Sequence, residues 1–524
     1  MRSRLYRTAF LLLFLSLLAL LVNKEIPVSA PPQVTALPDN SLTYEVAEPI
    51  KSLDPAAANN LSEAKVLSHI FEGLVRFQGN SARIEPCLAT HWQISPDGRR
   101  WIFYLRQGVY FHDTTPLNAE AVKFSVERQL PPNKKDYMTY GSFAFGMVES
   151  VEIVDDYTVA FNLRAPYAPL LRNLAMPWAA PVVSPSAVKK FGHDFAKNPV
   201  GTGPYRLSEW RNGTPVLKAN ERYWGNRPRI SYLAFRPADH EQRLIDLNSS
   251  HCGVADLLPS QKEHLKQDHI SLICSPTASL GYLGMFNNRP PFNNHLVRRA
   301  VCMAVDREAV ASAMFADSSL AANSILPPAL PGHYKDLTPY SGGAARAKSL
   351  LKTCGYPDGI SVTLITYQSE RPYNPLGGEA LANLIKKQLA PANIRVTVKA
   401  YPWHEFKSAL KRQEGDAYLF GWVGDNLDPD NFLFTLLSSD AVPQTNLSFY
   451  KNSEVDRLIA AAQQEYDEKT RQRLYYHAQQ IILQETPLVF LNYGQSCLGV
   501  TKNLQGVEVN PYGIPLFFHA FIKH

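Results

Sequence analysis

The chain has 524 residues, of which 45% are apolar and 19% charged, with 28 Gly, 39 Pro and 6 Cys. That is globular composition; it excludes a low-complexity linker and a disulfide-held miniprotein, and at roughly 100–200 residues per domain it implies three to four structural units. Half of the net charge of +6 comes from the first thirty residues, where Arg2, Arg4, Arg7 and Lys24 face only Glu25. The remainder is too balanced for a nucleic-acid-binding surface, and no Lys/Arg run of five occurs, so no nucleic-acid partner is expected.

Residues 1–30 read as a signal peptide. Arg2, Arg4 and Arg7 precede the apolar run Ala9 to Val22, and Val28-Ser29-Ala30 offers a small-residue cleavage site. The run is shorter than the ~20 residues that span a bilayer. The alternative is an uncleaved N-terminal anchor, because the run is Leu-dense and the site lies well past it. No Cys follows for lipid attachment, and no other stretch is long and apolar enough to cross a membrane. A soluble protein exported to the periplasm is expected. Export puts Cys87, Cys252, Cys274, Cys302, Cys354 and Cys497 in an oxidising compartment. There is no CxxC, which weakens zinc and thioredoxin-type readings. Cys252 and Cys274 are nearest in sequence and flank one helical segment, so a bridge between them is expected. The alternative is that several cysteines are buried small apolar residues.

Along the chain, residues 31–41 are a Pro-rich lead-in and Leu42 to Val46 a strand. Val66, Ile70 and Leu74 predict a helix over 64–74. Ser95-Pro-Asp-Gly98 predicts a hairpin turn, since Pro fixes φ and Gly accepts positive φ. Asn118 caps a helix carrying Val122, Val126 and Leu130, and a second hairpin turns at Asp155-Asp156. These elements form an α+β unit over 69–199. Gly201-Thr-Gly-Pro204 then breaks the chain. Lacking a lysine, it is an interdomain turn and no phosphate-binding loop. Strands over 205–210, 216–219 and 230–236 follow, with a helix over 242–248. After another strand at 281–286 and a helix from His295, residues 360–425 alternate strand, helix, strand, helix, strand. That order predicts three parallel strands of a doubly wound sheet, with ligands outside their carboxyl ends. The loops at that edge carry Arg371 and Asp425. Two helices, 453–466 and 468–483, precede terminal strands.

No GxSxG, HExxH or GxxxxGK[ST] occurs, so no catalytic residue is assigned, and a secreted peptide hydrolase stays a weak alternative. His112-Asp113 and His240-Glu241 lack partner histidines at helical spacing; surface turns are expected there, with no metal and no cofactor. Arg371 and Asp425 suit a zwitterion: Arg binds a carboxylate bidentately, and Asp accepts from an ammonium. At ~3.3–3.6 Å per residue a dipeptide separates its charged ends by about 7 Å. The competing reading is two ordinary loop charges, or a mutual pair.

Several segments resemble one family. Ala89-Thr-His-Trp-Gln-Ile-Ser-Pro-Asp-Gly98, Phe103 to Asp113 and Asn118 to Ser125 resemble extracytoplasmic peptide/nickel-type solute-binding proteins of ABC importers, family 5. Pro199 to Tyr205, Tyr223-Trp-Gly225, Tyr282 to Asn287, Pro290-Pro-Phe292 and Val297 to Ala300 continue the match in order. Arg371-Pro-Tyr-Asn-Pro375 and Gly421-Trp-Val-Gly-Asp425 through Phe432 look like the dipeptide-binding branch. The resemblance implies an α/β, periplasmic-binding-protein-like fold of the cluster C type: two doubly wound lobes, a ligand cleft and an accessory α+β domain. Lobe I would comprise 31–68, 200–277 and 491–524, lobe III 278–490, and the accessory domain II 69–199. It implies that Asp425 holds a peptide ammonium, Arg371 and Tyr373 its carboxylate, and that Trp422 flanks the site. It also implies a monomer that hands short peptides to a membrane permease. The branch's cysteines are missing at Tyr44-Glu-Val46, Leu437 to Asp440 and Tyr450-Lys-Asn452. Related branches bind haem, antimicrobial or cell-wall peptides.

Overall fold

The computed structural model describes Pro38 and residues 40–266 and 268–523; the expected signal peptide lies outside these residues. The first strand is β1 (Ser41–Val46). A short ribbon follows, β2 (Val75–Phe77) and β3 (Ile84–Pro86). Next come β4 (Ala89–Ile94), β5 (Arg100–Leu105), β6 (Val148–Asp155) and β7 (Thr158–Leu163), which form a separate antiparallel sheet ordered β4-β5-β7-β6. Trp101, Phe103, Val159 and Phe161 alternate onto its buried face.

The principal sheet has ten strands. These are β1 with β8 (Tyr205–Arg211), β9 (Thr214–Ala219), β10 (Tyr232–Pro237), β11 (Val254–Leu257), β12 (Ile270–Met285), β13 (Ile360–Tyr367), β14 (Ile394–Tyr401), β15 (Ala417–Val423) and β16 (Leu488–Thr501). Their order is β14-β13-β15-β12-β16-β11-β1-β10-β9-β8. β13 is parallel to both β14 and β15, as the strand–helix alternation of 360–425 requires. The crossover helix Gly378–Leu389 buries Leu381, Ala382, Ile385 and Leu389, one apolar stripe, against these strands. Both loops at their carboxyl ends therefore leave from one edge of the sheet.

β12 and β16 run through both halves of this sheet. Ile270 to Pro276 face Thr501 to Gln495, and Leu280 to Gly284 face Tyr493 to Leu488, with a break in register between. Gly494 occupies the break. A Cβ there would lie 1.9 Å from Ser279 Oγ, so only glycine lets the strands approach this closely.

Three local readings change. The helix expected over 64–74 is Leu61–Ile70, capped by Asn60, whose Oδ1 accepts from Glu63 N at 2.9 Å. It ends early because Glu72 is drawn to Tyr223 and Trp224 (2.8 Å each), and because Gly73 lies under Leu174 O, which a Cβ would meet at 2.7 Å. The helix capped by Asn118 stops at Glu127, before Leu130 and two prolines. His112 is no surface turn residue. Its Nε2 lies 2.9 Å from Gly203 O, and burial lowers its pKa to about 4. Among the described residues no helix could cross a membrane, and no group of His, Cys, Asp and Glu is arranged for a metal.

The expected Cys252–Cys274 bridge is also corrected. The disulfide joins Cys274 to Cys497, Cα atoms 4.1 Å apart, directly opposite on β12 and β16. Cys252 leads into β11, and β16 lies between β11 and β12. Two strand spacings put roughly 10 Å between those outer strands, beyond the ~7 Å a disulfide can bridge. Cys87, Cys252 and Cys302 are buried free thiols, and Cys354 is a half-buried one. Proteolysis without reductant should yield one linked peptide pair, Cys274 with Cys497; any pair containing Cys252 would contradict the register. Replacing both by Ala should lower stability by about 2–5 kcal/mol, read from denaturant midpoints.

Candidate functional site

β15 ends at Val423, and the chain turns through Gly424, whose N–H donates to Ala278 O at 2.7 Å. No side chain fits at this turn, since a Cβ on Gly424 would sit 2.7 Å from the Phe432 ring. Asp425 follows. Asn431, in the first turn of the helix Asp430–Leu437, fixes it: Asn431 Oδ1 accepts from Asp425 N at 3.2 Å and from Trp422 Nε1 at 2.9 Å. Tyr512 hydroxyl donates to Asp425 O at 3.1 Å. The rest of the loop is tied down by charge. Asp428 is fully buried and receives both Nη atoms of Arg471 at 2.8 and 2.7 Å, with Arg172 3.4 Å away. Bidentate pairing of this kind holds an angle as well as a distance.

The Asp425 side chain is different. Burial raises its carboxyl from the ordinary range to about 7, opposed only by the Tyr140 hydroxyl that bonds it. No Lys, Arg or His forms an ion pair with it among the described residues. Desolvation disfavours the charged form when no opposite charge is near. The position is therefore one that a cation would stabilise.

Arg371 sits on the neighbouring loop, after β13. Its backbone exchanges hydrogen bonds with Asn374 (2.9 and 2.8 Å), closing a tight turn. The guanidinium lies 3.6 Å over the Trp403 ring, with Nη2 donating to Ser369 Oγ at 3.0 Å. Nε is buried without a partner, and among the described residues no carboxylate forms an ion pair with the group. The Glu48 carboxyl is raised by burial and pulled back by Lys65 and, less, by Arg371. Arg371 and Asp425 thus do not neutralise each other. Tyr373 points the other way. Its ring packs on Gly421, where a Cβ would come within 2.2 Å, and its hydroxyl is buried beside Tyr367. Asn492 Nδ2 donates to Tyr373 O at 3.0 Å.

Two cavities meet at Asn59, Tyr140 and Asp425. The smaller, about 250 Å³, is lined also by Glu48, Trp178, Pro372 and Tyr512. The larger, about 760 Å³, takes in Trp422, Phe143, Phe434 and Asp430. Asp425 lines both cavities and Trp422 the larger one; of the Arg371 loop only Pro372 reaches the smaller, and Arg371 and Tyr373 line neither. Sequence reasoning missed Tyr140, Tyr512, Asn431 and Glu48. Asn431 lies within the motif that carries Asp425, but its role needs the fold; Tyr140 and Tyr512 come from remote segments with no local signal.

Residues 83–444 match the model described as bacterial extracellular solute-binding proteins, family 5 Middle. The chain is 32% identical over 478 residues to the dipeptide-binding protein of Escherichia coli (strain K12), covering 87% of this chain and 89% of that one. It is 30% identical to heme-binding protein A of Haemophilus influenzae over 504 residues, 92% of each chain. Among solved structures, HbpA2 from Haemophilus parasuis superposes with a TM-score of 0.86 at 29% identity, over 92% of this chain and all of that one. The α/β, periplasmic-binding-protein type of fold expected from the sequence is the one found.

The raised Asp425 carboxyl makes a prediction about the empty protein. A folded-state value near 7 above an unfolded value near 4 gives stability that is full below pH 4 and lost as pH rises through 7. Asp425→Asn has no charge to desolvate. It should melt above the wild type at pH 8, with the gap closing toward pH 4; a gap independent of pH would show that burial of this charge is not its cause.

Proposed function

Because the chain belongs to the bacterial extracellular solute-binding proteins of family 5, we propose that it captures dipeptides or similar short peptides in the periplasm and delivers them, as a monomer, to the membrane permease of an ABC importer. It is a binding protein of a solute-binding family and not an enzyme. Residues 1–30 serve as its export signal. Lobe I comprises 31–68, 200–277 and 491–524, and lobe III 278–490, with 69–199 as the accessory domain. The lobes close by bending where β12 and β16 lose register.

The observation that carries this reading is the pair of uncompensated charges. Asp425 has been taken out of water without a cation, and Arg371 stacks on Trp403 without a carboxylate. A peptide ammonium at Asp425 and a peptide carboxylate at Arg371 complete both. The protein has met the desolvation penalty in folding, so the ligand gains the attraction. The smaller cavity holds the backbone between them. Tyr373, from its buried position, anchors the Arg371 loop beneath the ligand carboxylate. Haem is the competing ligand that the relative's name raises, but no histidine or cysteine lines either cavity, and acidic residues stand where propionates would need cations.

Calorimetry with Ala-Ala and its C-terminal amide tests the assignment. The amide should bind at least about tenfold more weakly, the loss of one charge-assisted contact. Equal affinity removes Arg371 from the site. Asp425→Ala should abolish binding while the protein still melts cooperatively. The pH dependence has a fixed sign: capture needs Asp425 ionised, so below about pH 7 the dissociation constant should rise, approaching tenfold per pH unit. A flat profile from pH 5 to 7.5 would contradict the ammonium role. A Soret band formed on adding haem, with no heat on adding Ala-Ala, would replace the peptide by haem.

A further inference from the structure

The larger cavity carries a charge imbalance that a plain zwitterion leaves unresolved. Asp425 and Asp430 both line it, and among its lining residues there is no lysine, arginine or histidine. Asp430, 5% exposed, has no ion-pair partner among the described residues. Gln463 Nε2 donates to its two oxygens at 3.0 and 3.2 Å, a neutral contact. The adjacent Arg471 directs both Nη atoms to Asp428 instead, so its charge reaches Asp430 only at a distance. The carboxyl is raised to about 7 by burial and by the neighbouring Asp428. Between the two carboxyls the walls are apolar: Phe143, Met147, Pro166 and Phe434. A separate observation points to a missing hydrogen-bond acceptor here. Asn431 lines the same cavity and is 2% exposed; its Oδ1 already accepts two hydrogen bonds, and its Nδ2 is a buried donor with no partner. Leaving such a donor buried costs on the order of 1–3 kcal/mol until an acceptor arrives.

We propose that this cavity receives the first side chain of the bound peptide and selects a basic one, with Asp430 as the specificity-determining residue. The inference rests on the peptide reading above. With the ligand ammonium at Asp425, one negative charge in the cavity is met and one is left over. A lysine or arginine side chain meets it: its methylene stem lies along the apolar walls and its cationic head reaches Asp430. Asn431 Nδ2 donates to the carbonyl oxygen of the same residue. An acidic first side chain would put a third negative charge into the cavity and is disfavoured.

The wild-type protein alone decides the matter, by calorimetry with Lys-Ala, Nε-acetyl-Lys-Ala, Glu-Ala and Ala-Ala. The acetylated ligand keeps the stem and loses the charge. Lys-Ala should bind about tenfold or more tightly than its acetylated form, the scale of one hydrogen bond to a charged group, and Glu-Ala should be weakest. In Asp430→Asn the first two should fall within about threefold of each other, since the charge they are distinguished by is gone. Lys-Ala no tighter than Nε-acetyl-Lys-Ala, with Ala-Ala still bound, overturns the inference and leaves the peptide reading standing. No heat with any of the four overturns both.

Discussion

A single carboxylate placed out of water organises this molecule. Asp425 meets no opposite charge among the described residues: its bonds are the Tyr140 hydroxyl on the side chain, and Asn431 and Tyr512 on the backbone. Those contacts come from three widely separated parts of the chain. The position is therefore held by tertiary structure, while the charge itself is left for something else to satisfy. Low local dielectric strengthens whatever attraction then forms, just as it penalises the empty site.

Such a site works only if its geometry does not relax to relieve the penalty. The loop after β15 is prevented from relaxing by bonds that do not touch the ligand space. Asp428 is clamped by Arg471 and approached by Arg172, Asn426 Nδ2 donates to Asn173 Oδ1 at 2.7 Å, and Arg172 donates to Leu427 O at 3.3 Å. Further along, the Tyr466 hydroxyl donates to Gly98 O and accepts from Tyr167 N, fastening the first hairpin to the loop between two helices. Breaking a buried pair such as Asp428–Arg471 strands a charge, at about 3–5 kcal/mol. The strongest electrostatic bonds thus position the weakest-satisfied carboxylate.

The sequence made the scaffold legible where periodicity is strong. Strand and helix alternation over 360–425 placed Arg371 and Asp425 at one sheet edge, because parallel strands force their following loops to the same side. It could not show which way Tyr373 faces. A two-residue offset from Arg371 looks like a shared site, yet Gly421 opens a slot that takes the ring into the wall. Tyr140 and Tyr512 were invisible for a related reason: each owes its role to a contact with a residue far along the chain, 87 residues away for Tyr512, and no local pattern encodes one. The cysteines failed by the same logic. Nearness in sequence favoured Cys252 with Cys274, whereas strand order puts Cys497 between them.

That disulfide also bears on how the two halves of the sheet can move. Cys274 and Cys497 lie two residues short of the Pro276–Gln495 pair, the last before β12 and β16 lose register. A covalent tie there fixes the strands on the β11 side against sliding. Beyond it the ladder between these two strands resumes at Leu280 and Tyr493; within the gap Ser279 pairs with Val423 of β15 and Ala278 O accepts from Gly424 N, so this part of β12 is held from the β15 side and not by β16. Asn492, immediately past that gap, donates to Tyr373 O and so links the register break to the turn that carries Arg371. Asp425 follows β15, which pairs with β12 and β13 in the same half of the sheet, so the two charges stand on one side of the register break.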